Sequence, residues 1–224
     1  MTEIQVEQIE NNVGNGTHGV FKTAGRTVGL VLALPGLAGY WLWSRLLGKE
    51  RAFALSSEHL ARRAGVLGVY TRQAFYRYTT GGVGRDVCIG FMSVFSKPAL
   101  RIGQRVYIGR FCSIGWAVLQ DDVMLADGVQ VLSGRHQHGT GQSTKRGEQL
   151  IRDNEQTYRC VTIGRGAWIG AGAVVMADVG AGAVVAAGAV VVEPVQAGAC
   201  VGGVPAKALG SDRYTSGATG KRAA

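Results

Sequence analysis

Two histidines, His136 and His138, begin a polar stretch of the chain, HQHGTGQSTKRGEQLIRDNEQT, that covers residues 136–157. An imidazole has a reference pKa of about 6.5, so its neutral form can accept a proton near neutral pH. Long irregular segments between regular elements often carry function. The two histidines are therefore the first candidates for acid–base chemistry, and we interpret the stretch as a loop that projects from the protein.

The sequence on both sides of this loop repeats every six residues. An aliphatic residue begins each unit, a glycine or another small residue usually follows it, and a small or β-branched residue lies four places on. The units begin at Ile102, Ile108, Ile114, Leu119, Leu125 and Val131 before the loop, and at Ile163, Ile169, Val175, Val179, Val185 and Val191 after it. The unit at Ile114 is one residue short and the unit at Val175 is two residues short.

A unit of six residues is too short to bury a side chain alone, so the units must stack into a solenoid with one continuous aliphatic core. Three units make a coil of about 18 residues. The period therefore predicts an all-β solenoid, a parallel β-helix with short strands along three faces, over residues 81–209. The 35 glycines suit a chain that turns every few residues.

The residues before the solenoid predict a helical head piece. Residues 1–26 are polar and without a lasting period, which predicts a flexible tail, and the same holds for residues 210–224. Residues 27–80 are assigned to the head piece. Within it, residues 50–78 alternate apolar and basic positions, which predicts two short amphipathic helices joined near Gly65–Gly68, with Arg51, Arg62, Arg63, Arg72 and Arg77 on the polar face.

An uncharged segment from Thr27 to Ser44 raises the question of a membrane. It is short for a spanning helix, which needs about 20 apolar residues, and Pro35-Gly36 interrupts it. A re-entrant or interfacial helix anchored by Tyr40, Trp41 and Trp43 at the cytoplasmic membrane surface is one interpretation. A helix packed against the body of the protein or against a partner subunit is the other.

Charge and cysteine content narrow the classes of partner and compartment. The formal charge of +9 favours anionic partners, but no aromatic-basic platform or recognition motif indicates nucleic acid. The four cysteines include no CxxC pair, and Cys112 occupies an inward position of a repeat. We interpret all four as reduced core residues in a cytoplasmic protein.

With the repeats, the loop and the closing Gly203-Val-Pro-Ala-Lys207, the chain resembles the hexapeptide-repeat acyltransferases. It is most similar to the sugar O-acetyltransferases of polysaccharide and nodulation-factor biosynthesis, with galactoside, serine and xenobiotic acetyltransferases as wider relatives. The resemblance covers about Val87 to Leu209. It implies a left-handed β-helix and a homotrimer with active sites between neighbouring subunits, and the handedness rests on the resemblance alone because most parallel crossovers are right-handed.

The resemblance also implies roles for the loop histidines. His136, which follows Leu132-Ser-Gly-Arg, matches the general base that removes the proton of a hydroxyl as it attacks a thioester. His138 is the alternative base, or a contact for the acceptor. The acid that orients the imidazole stays open among four candidates, Asp121, Asp122, Asp127 and Glu148.

For the donor, the resemblance implies acetyl-CoA bound along the coil. Trp168 matches an aromatic residue beside the coenzyme, and the groove for the pantetheine arm matches Gly170, Ala171, Ala187, Gly188, Val192 and Gly203. A backbone amide in this groove can steady the thioester oxygen as charge develops. Lys207 matches a contact for the nucleotide phosphate. Repeat geometry alone would also favour these small residues.

The predicted function is an acyl-CoA-dependent O-acyltransferase that acetylates a sugar hydroxyl of a polysaccharide precursor or lipid-linked saccharide. A xenobiotic or small-molecule acetyltransferase and a non-catalytic solenoid that organises a membrane assembly are the alternatives. A carbonic anhydrase-like zinc site needs three His ligands, whereas the solenoid offers only His136 and His138, so no metal is predicted. Serine is a disfavoured acceptor, because the long helical domain of serine acetyltransferases is not found in the sequence.

Overall fold

A computed structural model describes residues 3–133 and 158–209 of the 224-residue chain, with side chains from residue 23 onward. In these residues, three helices come first and fifteen short strands follow. The helices are α1 (Glu3–Leu47), α2 (Lys49–Ala61) and α3 (Gly65–Thr79). The strands are β1 (Cys88–Ile89), β2 (Val94–Phe95), β3 (Arg101–Ile102), β4 (Tyr107–Ile108), β5 (Ser113–Ile114), β6 (Ala117–Leu119), β7 (Met124–Leu125), β8 (Gln130–Val131), β9 (Val161–Ile163), β10 (Trp168–Ile169), β11 (Val174–Val175), β12 (Val184–Val185), β13 (Val190–Val191), β14 (Cys200–Gly202) and β15 (Lys207–Ala208).

The strands form three sheets that enclose one core, as the six-residue period predicts. The seven-stranded sheet has the order β1-β4-β7-β10-β12-β14-β15, the five-stranded sheet β13-β11-β8-β5-β2, and the three-stranded sheet β3-β6-β9. Pairing is parallel throughout except between β14 and β15, which end the solenoid as an antiparallel pair. The aliphatic residues that begin the units are buried, among them Ile102, Ile108, Ile114, Leu119, Leu125 and Val131.

Each coil turns at three corners. The first corner joins the three-stranded to the seven-stranded sheet, the second joins the seven-stranded to the five-stranded sheet, and the third leads back to the three-stranded sheet. The third corner alone takes up the irregular unit lengths. The segments that cross it are Phe95–Ile102, Ile114–Leu119, Val131–Ile163, Val175–Val179 and Val191–Val195.

This register corrects one unit of the sequence pattern. We predicted a six-residue unit from Val191, but Val179 pairs with Val195, so the unit has four residues like the one before it. The repeat of small residues disguises this shortening in the sequence. The polar stretch 136–157 lies within the segment that crosses the third corner between Val131 and Ile163, and, like residues 210–224, it is outside the described residues.

The head piece differs from the prediction at its beginning. Helix α1 starts at Glu3, so residue 26 is not a boundary between elements, and the helix continues through Pro35 without interruption. A proline inside a helix removes one amide donor and crowds the carbonyl group four residues earlier, and the packing of α1 on α2 and α3 offsets this cost. The two shorter helices are present as predicted, but their junction is at residues 62–64, and Gly65–Gly68 form the first turn of α3.

Arg72 is the second correction in the head piece. We predicted it on the polar face of an amphipathic helix, but its side chain is buried, with 1% of its surface exposed. Its guanidinium donates to the carbonyl oxygens of Ile89 and Arg63, at 2.9 and 2.6 Å. These oxygens replace water as partners for the buried cation.

The cysteines follow the prediction in part. All four are free thiols, and Cys112 is buried, but Cys88, Cys160 and Cys200 are only partly buried. Cys88 and Cys200 lie at outward positions of β1 and β14, because Ile89 and Val201 take the inward positions. Burial raises the pKa of Cys112 above its ordinary value, which keeps its thiol protonated and unreactive.

Candidate active site

The two ends of the segment that carries His136 and His138 meet at the third corner. The chain before it ends at Ser133, whose hydroxyl accepts a hydrogen bond from the Trp116 amide at 2.8 Å. The chain after it returns at Tyr158, and the Arg159 amide donates to the Ser133 carbonyl oxygen at 3.0 Å. His136 follows Ser133 by three residues in the sequence. Both histidines lie outside the described residues, so their predicted role as base stays a prediction.

Asp178, in the next coil, binds the chain where it re-enters the solenoid after Tyr158. Its carboxylate accepts from the Thr162 amide at 2.8 Å and from the Arg159 guanidinium at 2.8 Å. Asp178 lies in the four-residue segment that makes the third corner of the next coil. The shortened unit therefore places a carboxylate directly under the start of β9.

A cleft of about 370 Å³ lies beside Ser133 and Tyr158, between helix α2 and the coil. Its walls come from the first turn of α2, from the third corner of the first coil, and from the two residues that flank the undescribed segment. The lining residues include Glu50, Arg51, Ser96, Lys97, Ser133 and Tyr158. A cleft of this volume is within the range of small-molecule sites in proteins.

An ion pair and an aromatic contact join the three walls of the cleft. Lys97 Nζ donates to Glu50 Oε2 at 2.7 Å and lies 4.4 Å from the centroid of the Tyr158 ring. Only 14% of the Lys97 side chain is exposed, so the ammonium is held in place. The sequence pattern gives no sign that Lys97, Glu50 and Tyr158 share a site, because no repeat or motif connects three residues so far apart in the chain.

Trp168 occupies an outward position of the seven-stranded sheet. It pairs with Met124 on one side and with Val184 on the other, and 46% of its surface is exposed. Its neighbour Ile169 points into the core. The alternation of inward and outward side chains along a strand thus presents the indole ring to the solvent.

Ala171, Ala187 and Gly188 lie close to Trp168, at the second corner. The Gly188 amide donates to the Ala171 carbonyl oxygen at 2.8 Å, so the two turns are stacked, and all three residues are exposed. Gly188 has a φ of 68°, which favours glycine on conformational grounds alone. The small side chains leave the backbone of this corner accessible.

Gly170 has a different reason to be glycine. A Cβ at this position would overlap the backbone nitrogen of Ala187 in the next coil. Gly170 is buried, so the structure assigns it to the packing between coils and not to the exposed surface that Ala171 and Ala187 form.

Of the remaining predicted donor contacts, Gly203 continues the second-corner column of Ala171 and Ala187, because Val185 pairs with Val201, whereas Val192 lies at another corner. Val192 is at the third corner, in a column with Leu132 and Met176, and is separated from Ala187 by strand β13. The Gly203 carbonyl oxygen accepts from the Val190 amide at 3.0 Å, and Lys207 lies exposed on the terminal strand β15. Within one chain, Val192 at the third corner is therefore set apart from the predicted contacts at the second corner.

Three of the four acids predicted as orienting partners for the imidazole lie away from the third corner. Asp121 and Asp122 are at the first corner, where the Gln104 amide and the Arg105 guanidinium donate to them at 2.9 and 2.6 Å. Asp127 is at the second corner and accepts from Arg110. Glu148 lies outside the described residues. Hydrogen bonds from the Arg105 and Arg110 side chains lower the pKa values of Asp122 and Asp127, so both are ionised structural partners.

No group of three His, Cys, Asp or Glu residues that could hold a metal ion occurs in the described ranges 3–133 and 158–209.

Comparison with solved structures identifies other proteins that have this architecture. The chain has the left-handed β-helix fold seen in hexapeptide-repeat acetyltransferases, which confirms the fold class predicted from the sequence. A hexapeptide-repeat acetyltransferase of Vibrio cholerae, solved with acetyl coenzyme A, is 23% identical and aligns with a TM-score of 0.59 over 71% of this chain and 85% of its own. A galactoside acetyltransferase in complex with coenzyme A is 18% identical, with a TM-score of 0.54 over 71% of this chain and 80% of its own. At these identities the likeness is one of fold.

Curated proteins give a likeness in sequence. A serine acetyltransferase of Bacillus pumilus is 32% identical over 117 residues, which are 47% of this chain and 52% of the relative. A serine acetyltransferase of Bacillus licheniformis is 32% identical over 97 residues, 40% of this chain and 43% of the relative. The chain thus spans about half the length of the curated relatives it matches. No family model matches the sequence.

Proposed function

We propose that the protein is an acyl-CoA-dependent O-acetyltransferase that acts on a saccharide hydroxyl. The observation that carries the proposal is the exposed Trp168 ring beside the stacked, small-residue turns of Ala171 and Ala187, on a fold whose solved relatives are acetyltransferases. An aromatic face beside accessible backbone amides suits a long, amide-containing thioester arm.

The donor in this proposal is acetyl-CoA, as in the acetyl coenzyme A complex of the Vibrio cholerae relative. Trp168, Ala171, Ala187 and Gly188 contact the pantetheine arm, and Lys207 contacts a phosphate of the nucleotide. Because Val192 lies at a different corner, it contacts the arm from a neighbouring subunit. A homotrimer would place the second corner of one chain against the third corner of the next.

The chemistry in this proposal belongs to His136. Its neutral imidazole accepts the proton of the acceptor hydroxyl as the oxygen attacks the thioester carbonyl carbon, and a backbone amide stabilises the developing oxyanion. When the carbon–sulfur bond breaks, the imidazolium returns the proton to the leaving thiolate. The products are an acetyl ester and the free thiol of CoA. His138 is the alternative base, and a role in contacting the acceptor is its other assignment.

A thiol-release assay tests the reaction. Purified full-length protein is given acetyl-CoA and a panel of saccharides, with L-serine and a xenobiotic amine or alcohol included, and free CoA is followed with time. L-serine is included because the curated relatives are serine acetyltransferases. Release that depends on a saccharide supports the proposal. Release with L-serine alone contradicts the saccharide acceptor, and failure to bind acetyl-CoA in calorimetry favours a non-catalytic solenoid.

Replacement of the base separates chemistry from binding. We expect His136→Ala to lower turnover by about 10²- to 10⁴-fold while the calorimetric affinity for CoA is unchanged. His138→Ala is the matched control, with a smaller loss. Wild-type turnover in His136→Ala, or the larger loss in His138→Ala, would assign the base differently.

The oligomer is tested by sedimentation. We expect a mass three times that of the 23.6 kDa chain, because the donor contacts lie on two corners. A monomer that turns over acetyl-CoA would contradict the intersubunit site.

We also propose that α1 lies on the cytoplasmic surface of the membrane. The segment Thr23–Leu47 is long and apolar enough to cross a membrane by length and composition, with a mean hydropathy of 1.3. Ala33 and Tyr40 face α2 and α3, whereas Trp41, Leu42 and Leu46 are exposed. Basic residues follow at Arg45 and Lys49, which suits an anionic lipid surface.

Vesicle flotation tests this attachment. Full-length protein should float with vesicles that contain phosphatidylglycerol, and the exposed-face variant Leu42→Gln/Leu46→Gln should stay in the soluble fraction. Tyr107→Gln, which removes an exposed aromatic residue from the solenoid, serves as the control. Equal floating fractions for the helix variant and the wild type would reject the proposed surface.

A further inference from the structure

The cleft beside helix α2 has a simple charge pattern. Of its lining residues in the described part of the chain, three carry a formal charge: Glu50, Arg51 and Lys97. The 2.7 Å contact between Lys97 and Glu50 pairs two opposite charges. The remaining charge of the lining is the guanidinium of Arg51, which makes no ion pair with any described residue.

The paired charges are also fixed in position. Lys97 is held between the Glu50 carboxylate and the Tyr158 ring, so the lysine cannot swing out to meet a ligand without losing two contacts. Glu50 is likewise occupied by its partner. An incoming group therefore meets one positive charge, that of Arg51, on an exposed side chain at the edge of the cleft.

The rest of the lining is suited to hydroxyl groups. Ser96 and Ser113 are exposed and contribute hydroxyls to the cleft. They come from two successive coils, because Ser96 lies just after β2, and β2 pairs with the strand β5 that contains Ser113. A hydroxyl both donates and accepts hydrogen bonds, as the hydroxyls of a sugar do. With about 370 Å³, the cleft holds a small ligand or one end of a larger one.

We infer that this cleft binds the acceptor by an anionic group, and that the acceptor is a phosphorylated saccharide whose phosphate contacts Arg51. The inference rests on the proposed function, because the cleft adjoins Ser133 and Tyr158, which flank the segment that contains His136. A planar guanidinium offers two parallel N–H donors that match two phosphate oxygens, which a lysine ammonium does not. Helix α2 is in this way a specificity element that the hexapeptide repeat itself does not contain.

Calorimetry with a matched pair of sugars tests the inference without any turnover. The probes are galactose 1-phosphate and galactose, titrated into the full-length protein. We expect the phosphorylated sugar to bind about tenfold more tightly, the size of effect typical of one charge-assisted hydrogen-bond pair. In Arg51→Met, which keeps the aliphatic stem, this preference should fall to near unity.

Lys49→Met is the matched control, because Lys49 is an exposed cation two residues away that does not line the cleft. Its preference for the phosphorylated sugar should equal that of the wild type. Equal binding of the two sugars to the wild type, no binding of either, or an unchanged preference in Arg51→Met would each overturn the inference.

The result is separable from that of the thiol-release assay. A phosphate preference that depends on Arg51, without thiol release, would retain the binding site and reject the acetyltransferase. Thiol release with a neutral sugar, unaffected by Arg51→Met, would retain the acetyltransferase and reject the phosphate site.

Discussion

The Arg72 guanidinium donates two hydrogen bonds to the carbonyl oxygen of Ile89, from Nε at 3.0 Å and from Nη2 at 2.9 Å. Its third nitrogen donates to the Arg63 carbonyl oxygen just after α2. One side chain of α3 thereby ties the end of α2 to the first strand of the solenoid. Since α2 also forms a wall of the cleft, Arg72 acts as a positioning residue for the proposed acceptor site.

Removal of this buried cation should detach the head piece from the coil. We expect Arg72→Met to lower the free energy of unfolding by about 3 kcal/mol, because the carbonyl oxygens of Ile89 and Arg63 lose their charged donors. Urea unfolding followed by circular dichroism measures the change. Arg62→Met, at an exposed position after α2, should stay within about 0.5 kcal/mol of the wild type. An equal effect of the two variants would show that the Arg72 contacts do not hold the head piece.

Replacement of Ser57 should destabilise the folded protein more than replacement of Tyr76, although the two side chains share one hydrogen bond. The two hydroxyls lie 2.7 Å apart in the core, and the Phe95 amide donates to the Ser57 oxygen at 2.8 Å. Ser57→Ala leaves both the Phe95 amide and the Tyr76 hydroxyl unpaired, whereas Tyr76→Phe leaves the Phe95 bond intact. We expect about 2 to 4 kcal/mol of destabilisation for the first and about 1 kcal/mol for the second. Thermal unfolding with the reverse order would contradict this network.

Trp168 should contribute to CoA affinity and not to stability. Its outward, half-exposed position makes Trp168→Ala a mild change for the fold, but we expect about a tenfold loss in the calorimetric affinity for CoA. Met124→Ala is the control, since Met124 is the paired outward residue one coil earlier. If both variants bind CoA as the wild type does, the groove lies on another face.

The Arg110–Asp127 pair should give a pH-dependent contribution to stability. Hydrogen bonds from the Arg110 side chain and then from its backbone amide lower the pKa of Asp127 below the model-peptide value of 3.8. A carboxylate with a lowered pKa stabilises the folded state above its unfolded pKa, and this stabilisation is lost as the pH falls through the folded value.

Urea midpoints of the wild type and Asp127→Asn measure this effect. The asparagine keeps a neutral acceptor for the Arg110 amide and removes the charge. The wild type should have the higher midpoint at pH 7, and the two midpoints should converge below pH 3.8. A gap that persists at low pH would mean that the aspartate acts through shape and not through charge.

Much of the solenoid follows from local spacing. Ile102, Leu119 and Ile163 stack in register because each begins a unit, and a period of six assigns every unit one inward side chain. Trp168 came only from the resemblance to a known family, and the structure shows it at an outward position, one residue before the inward Ile169. The spacing misjudged the unit at Val191, because Gly-, Ala- and Val-rich units fit more than one register.

The head piece was harder to predict from its pattern. Arg72 has the spacing of a solvated basic residue, and only the carbonyl oxygens of Ile89 and Arg63 make its burial favourable. These partners come from separate elements, and the helical period carries no information about them. The local sequence also failed to predict that α1 starts at Glu3 and continues through Pro35.

The sequence by itself determined the coil, its three faces and the place where the His136 segment interrupts them, because these depend on contacts between units of one repeat. Tertiary structure alone decided that Glu50, Lys97 and Tyr158 enclose one cleft, and that Ala187 and Val192 lie on different corners. Such groups meet only after the chain has folded, since ion pairing and packing between distant elements follow the three-dimensional path of the backbone and not a spacing in the sequence.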